Sequence, residues 1–184
     1  MKAILYQLTT PFSYLRIEHD EKYIYDWIIP LCMTIVSLSL MKFFIPLDEI
    51  VKAGGLIDQV TSFIGNLPGF FIAALAAVAT FSRNDIDELI VDRPRIKVLY
   101  QGQLTMVDMT RRRFLCVLFS YLTAVSIFLV IITRFALAVQ LSEEYFVYAS
   151  CVGVGLYTFV LWQMIIATVL GLYYLGERLH TPQQ

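Results

Sequence analysis

Four apolar runs, joined as two pairs by short polar intervals and separated at the centre by one long polar interval, set the pattern of this 184-residue chain. The first run extends from Trp27 to Ile45, and its 19 residues rise roughly 28 Å as a helix, close to the thickness of a bilayer's hydrocarbon layer. Tyr23, Tyr25 and Trp27 place amphipathic rings at its start, Pro30 falls in its first turn, where a missing N–H costs little, and Pro46 ends it. The second run is irregular: Asp58, Gln59, Asn66 and Pro68 interrupt it before it becomes wholly apolar from Phe70 to Phe81. A break is expected near Asn66 to Pro68, with the freed backbone groups finding protein or water partners. The third run is Phe114 to about Ile132 and the fourth Tyr145 to Leu172. The pattern predicts an all-α membrane protein with four transmembrane helices, divided as arm 1–26, helix pair 27–81, basic loop 82–113, helix pair 114–175 and tail 176–184.

The long polar interval, Ser82 to Arg113, holds Arg83, Arg93, Arg95, Lys97, Arg111, Arg112 and Arg113, seven of the fourteen Lys and Arg. Basic residues close to span ends resist translocation, so this loop is expected on the cytoplasmic side of the membrane, with both termini beside it. Eleven cations then lie inside, and only Lys42, Lys52 and Arg134 lie outside. Arg111, Arg112 and Arg113 read as a collar anchoring the third span at an anionic leaflet. Between Pro94 and that collar, Arg95 to Tyr100 and Leu104 to Val107 flank Gln101-Gly102, which predicts a small β-hairpin. An isolated hairpin is marginal in water and needs a surface. Arg93, Arg95, Lys97, Leu99, Gln101 and Leu104 are accordingly candidates for docking a cytosolic partner; packing of the apolar members on the membrane or on a sister loop is the competing reading. The N-terminal arm is expected at the cytoplasmic membrane surface or as a partly disordered topogenic segment.

Small residues mark candidate helix-packing sites. Gly65, Gly69, Ala73 and Ala77 recur every fourth position, and Gly153 and Gly171 lie in the fourth run with Ala149 and Ala167. Such faces let backbones approach, although Gly and Ala are also generally tolerated in membrane helices. Gln163, the strongly polar side chain near the middle of the fourth run, suits an interhelical hydrogen bond better than a pore lining.

Composition narrows the chemistry. With 58% hydrophobic and 16% charged residues and a mean hydropathy of +0.68, the chain is too apolar for an ordinary soluble domain. A net charge of -1 gives no global attraction for nucleic acid, and no direct nucleic-acid binding is expected. Cys32, Cys116 and Cys151 sit inside apolar runs without metal-ligand spacing, and His19 and His180 have no partner at such spacing. The spans offer no carboxylate near mid-depth, and no serine has an apposed His or Asp in the pattern. Neither metal, cofactor nor enzymatic activity is expected. A membrane subunit that docks a cytosolic effector, an oligomeric channel, and a small transporter or exclusion factor remain.

The four-span plan, with a loop ending Met109-Thr110-Arg111-Arg112-Arg113-Phe114 directly before a span, resembles the membrane subunits of the Kiwa antiphage-defence systems. The resemblance covers the whole chain in length and layout. It implies a homo-oligomer, a tetramer, in the bacterial inner membrane that senses phage infection and works with a cytosolic DNA-binding effector. It assigns no individual residue a role.

Overall fold

The computed structural model describes residues 9–19, 21–80, 84–90, 94–100, 103–139 and 143–176. Four helical stretches in it are long and apolar enough to cross a membrane: Ile24–Phe44, Leu47–Thr80, Arg111–Ala138 and Tyr145–Gly176. The first begins as a π-helical segment, Ile24–Ile28, and continues as α1, Ile29–Phe44. The second is composite: α2, Leu47–Val51, α3, Leu56–Ile64, and α4, Leu67–Thr80. The third is α5, Arg111–Ala138, and the fourth belongs to α6, Glu143–Gly176. Between α4 and α5 stand a short 3-10 turn, Asn84–Asp87, and the expected hairpin, β1, Arg95–Tyr100, with β2, Gln103–Asp108.

Spans begin and end where backbone chemistry allows. Gly54, with φ 75°, takes the left-handed turn that a side chain would resist, and its N–H donates to Asp58 at 2.8 Å. The expected break in the second span falls at Gly65 and Asn66 between α3 and α4. Pro68 cannot donate to the Ile64 carbonyl, and in the same turn Asn66 Nδ2 donates to the carbonyls of Ser62 and Phe63, each at 3.3 Å. At the other end of the loop, the Thr110 hydroxyl caps α5 by accepting from the Arg113 N–H at 3.3 Å.

The main packings are α4 on α5, α5 on α6, and α6 on α1. The spans therefore stand in a row: second, third, fourth, first. α5 is the most buried of them, presenting Leu115, Leu118, Phe119, Leu122 and Val125 to its neighbours. Three further ties join the spans. Arg134 pairs with Asp58 and donates to the Ser62 hydroxyl at 2.7 Å, away from the loop, Thr61 and Tyr157 hydroxyls lie 3.0 Å apart, and near the middle of α6 the Trp162 indole N–H donates to Ser37 at 2.8 Å.

The small residues divide in role. A side chain at Gly171 would meet Leu118 at 3.0 Å and Phe119 at 3.6 Å, whereas one at Gly153 or Gly69 meets nothing within 4 Å. Gly171 is thus where α6 approaches α5. Gly65, Gly69, Ala73 and Ala77 are all exposed, on the side of the second span away from Phe71 and Val78, which face α5.

Overpacking a tight contact costs about 1–3 kcal/mol, so Gly171→Leu should lower the thermal unfolding midpoint in detergent, while Gly153→Leu leaves it near wild type. Equal effects of the two would remove Gly171 from the α5–α6 contact.

Candidate functional site

The feature that ties the most elements together lies at the loop side of the row, around Asp26. Pro30 creates the need for it. In an α-helix the carbonyl of residue 26 would accept from the N–H of residue 30, and proline has none. The backbone widens here instead, with the Ile29 N–H donating to the carbonyl of Ile24, a π-type bond. The Asp26 carbonyl is then satisfied from another helix, by the Gln163 side-chain amide at 3.0 Å. Gln163 Oε1 in turn accepts from the Tyr121 hydroxyl at 2.9 Å. First, third and fourth spans are joined through one proline-freed carbonyl. Pro30 lies further into the span than the sequence pattern suggested, because the helix starts at Ile24 rather than Trp27.

The Asp26 carboxylate is a second focus. It is only 3% exposed, and its two oxygens are used separately: Tyr14 donates to Oδ1 at 2.9 Å and Lys22 pairs with Oδ2. The Lys22 ammonium also sits 4.1 Å from the centre of the Tyr14 ring, a cation–π contact. Burial drives the Lys22 pKa below its ordinary value, against the opposing pull of Asp26. Burial, with Asp26 next in effect, drives that of Tyr14 upward, so its hydroxyl stays a neutral donor. A buried ion pair stands only while both partners and their hydrogen bonds are in place.

Tyr14 belongs to the N-terminal arm, whose described part is a 3-10 turn, Thr10–Arg16. The sequence suggested an arm at the membrane surface or partly disordered; residues 1–8 lie outside the described residues, and Thr10–Arg16 packs along α5. Tyr14 stacks on Tyr121 with ring centres 4.9 Å apart, and Phe12 reaches Tyr121 and Phe128 at 6.3 and 5.9 Å. Phe128 is about 25 Å along α5 from Arg111 at 1.5 Å per residue, so the arm is a wedge beside the third span. Its apolar members, Phe12, Tyr14 and Ile17, have a place to go, and Asp26 satisfies the one hydroxyl carried in with them.

Past Ile17 the chain meets the hairpin. The Glu18 N–H donates to the Arg95 carbonyl at 3.2 Å, forming an antiparallel bridge on the outer edge of β1. The hairpin is also fixed at its base: Leu89 and Thr110 form a second bridge, and Ile90, Ile96 and Met109 are buried there. Arg112 completes the root. Its guanidinium grips both Asp87 oxygens, at 2.6 and 2.9 Å, and donates to the carbonyls of Val78 and Ala79 at 3.0 and 3.2 Å. Those carbonyls belong to the last turn of α4, where a cation suits the negative helix end. Hydrogen bonding to Arg112 holds the Asp87 carboxyl below its ordinary value.

The three collar arginines therefore differ. Arg111 is buried, 3.7 Å from Glu88, Arg112 is the clamp, and Arg113 is half-buried. Of the proposed docking residues, Arg93 and Gln101 lie outside the described residues. The register pairs Arg95 with Asp108, Lys97 with Met106 and Leu99 with Leu104, so positions 95, 97, 99 and 104 share one face of the hairpin. Where that face is described it is open, at Arg95 and Met106, while Ile96 on the opposite face is buried. Sequence reasoning missed Asp26, which it left in the arm among other acidic residues, and gave Tyr14 and Lys22 no role; the signal was the spacing of Asp26 to Pro30, which leaves a carbonyl without its helical donor. Gln163 makes the interhelical bonds expected of it.

Among the described residues no group of three His, Cys, Asp or Glu side chains is placed to hold a metal ion, and the three cysteines are free thiols. No family model, no curated protein and no solved structure matches the chain.

Removing one member of a buried ion pair typically costs about 3–5 kcal/mol, and losing a hydrogen bond to a charged group about 1.5–3 kcal/mol. Asp26→Ala should lower the midpoint of thermal unfolding in detergent more than Tyr14→Phe does, with Lys22→Met also lowering it. An Asp26→Ala protein as stable as wild type would remove the ion pair from the fold's supports. The Asp87 pKa is depressed, so its contribution is full above the ordinary value of 3.8 and is lost as pH falls through the lower folded value. Acidifying from about pH 7 to about pH 5 should leave the hydrogen-exchange protection of β1 and β2, taken relative to the intrinsic rate at each pH, unchanged, the Asp87 clamp being intact over that window. Loss of protection there would show another group to hold the hairpin root.

Proposed function

We propose that this chain is a non-catalytic inner-membrane subunit that senses an event at the membrane and passes it to a cytosolic effector docked on the hairpin. One observation carries the reading: the hairpin is fastened to the spans at several points, by the Arg112 clamp to the end of α4, by the Glu18 bridge to the arm, and through the arm to Asp26 and Gln163. A displacement of the spans reaches the hairpin through bonded contacts. Its open face, with Arg95 and Lys97 beside Leu99 and Leu104 in register, suits a partner surface that is acidic at its rim and apolar at its centre. By the resemblance to the Kiwa membrane subunits, the effector is a DNA-binding protein, the stimulus is phage infection, and the assembly is a tetramer.

Orientation is part of this reading: loop and termini are cytoplasmic. A single cysteine placed at Met106 should resist an impermeant thiol reagent in intact cells while one at Lys52 reacts; the reverse would invert the topology and end the proposal of a cytosolic partner.

Docking is tested by capture from the native host. Changing Arg93, Arg95 and Lys97 to Glu leaves Arg111, Arg112 and Arg113 in place to preserve topology. A soluble partner held by the wild type should be lost from the triple variant. Because Arg95 lies 3.5 Å from Asp108, a glutamate there opposes a like charge across the hairpin, and Arg95→Gln with Lys97→Gln supplies a gentler control. Identical capture by all three proteins would overturn docking on this face. The alternative reading, an oligomeric channel, is favoured by the exposed stripe of Gly65, Gly69, Ala73 and Ala77 at one end of the row, where copies could approach. Ion flux from the purified chain in liposomes would support it.

A further inference from the structure

We propose that the N-terminal arm is a releasable strap, latched at Asp26, and that its release frees the hairpin. The arm occupies a groove beside α5 that apolar side chains alone could fill: Phe12 and Tyr14 lie on Tyr121, Phe114 and Phe128. Its fastening is polar nonetheless. Tyr14 and Lys22 both close on one buried carboxylate, and that aspartate hangs from the fourth span by its own carbonyl. Well-packed apolar residues in place of a buried ion pair are often no less stable. What the polar latch adds is a dependence on geometry: its bonds hold only while the first, third and fourth spans keep their spacing, because Asp26, Tyr121 and Gln163 come one from each.

The segment carrying the latch is itself irregular. Asp26 stands within the π-helical start of the first span, where the backbone departs from the α ladder, as it frequently does at functional sites. The strap continues without a break into the Glu18 bridge on β1, and Ile17 and Ile96 are both buried at that junction. When the spans move apart, the Asp26 oxygens lose Tyr14 and Lys22, the arm leaves its groove, and the outer edge of β1 loses Glu18. The hairpin is then held at its base alone, by the bridge at Leu89 and the Arg112 clamp. This rests on the reading that the hairpin is the docking face only for its consequence, since the motion occurs without a partner.

Double electron–electron resonance on the full chain in lipid nanodiscs, with labelled protein diluted into unlabelled protein, tests it. Cys32 and Cys151 become Ser and Cys116 becomes Ala. One label pair, Arg16→Cys with Leu172→Cys, reads the strap; the other, Met106→Cys with Leu172→Cys, reads the hairpin. These positions are exposed. The wild-type background should give one narrow distance for each pair. Asp26→Asn should raise the long, broad population several-fold in both pairs together, and Tyr14→Phe should raise it less, serving also where Asp26→Asn fails to assemble. The triple change Tyr14→Phe, Lys22→Met and Asp26→Leu, which replaces the polar latch by apolar contact, should restore the narrow distances. Unchanged distances in Asp26→Asn, or in Tyr14→Phe where it alone assembles, would overturn the latch. Movement of the arm with an unmoved hairpin would overturn the coupling. A hairpin that moves yet captures no partner would strike the docking function and leave the strap standing.

Discussion

A single missing N–H shapes this protein. Pro30 cannot donate to the carbonyl of Asp26, and in an apolar environment an unsatisfied carbonyl costs several kcal/mol, on the order of 2–7. The π-type winding at Ile24–Ile28 and the reach of Gln163 from the fourth span are together the answer to that cost. Gln163 has its own oxygen to satisfy, and Tyr121 does so from the third span. The aspartate side chain brought to this point needs partners as well, and they come from Lys22, one turn earlier, and from Tyr14 on the arm. Each polar group calls in the next until the set closes, so the loop-side packing of three spans and the position of the arm follow from one proline.

Closure of that set explains why the arm is part of the bundle. A terminal segment of a few residues has little intrinsic tendency to hold a shape, and a seven-residue 3-10 turn without a side-chain cap is no exception. It is ordered by what it covers. The ring of Tyr14 lies on Tyr121 while its hydroxyl bonds Asp26, so one side chain meets the apolar and the polar requirement at once. The chain must then leave the groove on the loop side, and there Glu18 meets the exposed edge of β1. A two-stranded hairpin that would be marginal alone gains a third backbone contact on one edge and a buried base at Ile90, Ile96 and Met109.

Much of this plan was legible in the sequence, and the residues show why the rest was not. Four spans, the break before Pro68 and a hairpin around Gln101-Gly102 each follow from local rules, hydropathy over about 20 residues, a proline's missing donor, and β-branched residues around a glycine turn. The second rule, applied to Pro30 with the helix start placed three residues too late, gave a proline in the first turn and hid the freed carbonyl. Asp26 read as one more acid of a polar arm, because only Lys22 among its partners is near in sequence, the other two being 12 and 137 residues away, and hydropathy carries no pairing information. The arginine collar read as one feature and is three: a buried cation facing Glu88, a clamp spanning loop and helix end, and a half-buried residue. All three carry the same planar fork of donors; what distinguishes Arg112 is that its fork reaches Asp87 and the carbonyls of Val78 and Ala79 together, and a run of three identical letters cannot display that.

The row of spans bears on what one chain can do alone. In a closed four-helix bundle the first and second spans would pack together and seal a core; here the chief contacts run second to third to fourth to first. The two ends of the row are anchored differently. At the second-span end, Arg134 ties Asp58 and Ser62 to α5 on one side of the molecule and Arg112 ties the last turn of α4 to α5 on the other, so this pair is stapled at both ends of its length. At the first-span end, Trp162 to Ser37 and Gln163 to Asp26 are single contacts, and the latter depends on the arm staying in place through its shared aspartate. The second and third spans form the stiffer unit and the first span the more weakly held one. Any relative motion within the chain is therefore expected between the first span and the others, and it is that motion which strains the Asp26 contacts first. Among the described residues the arm is bonded both to the first span and to the hairpin, so a displacement of the first span reaches the basic loop through Tyr14.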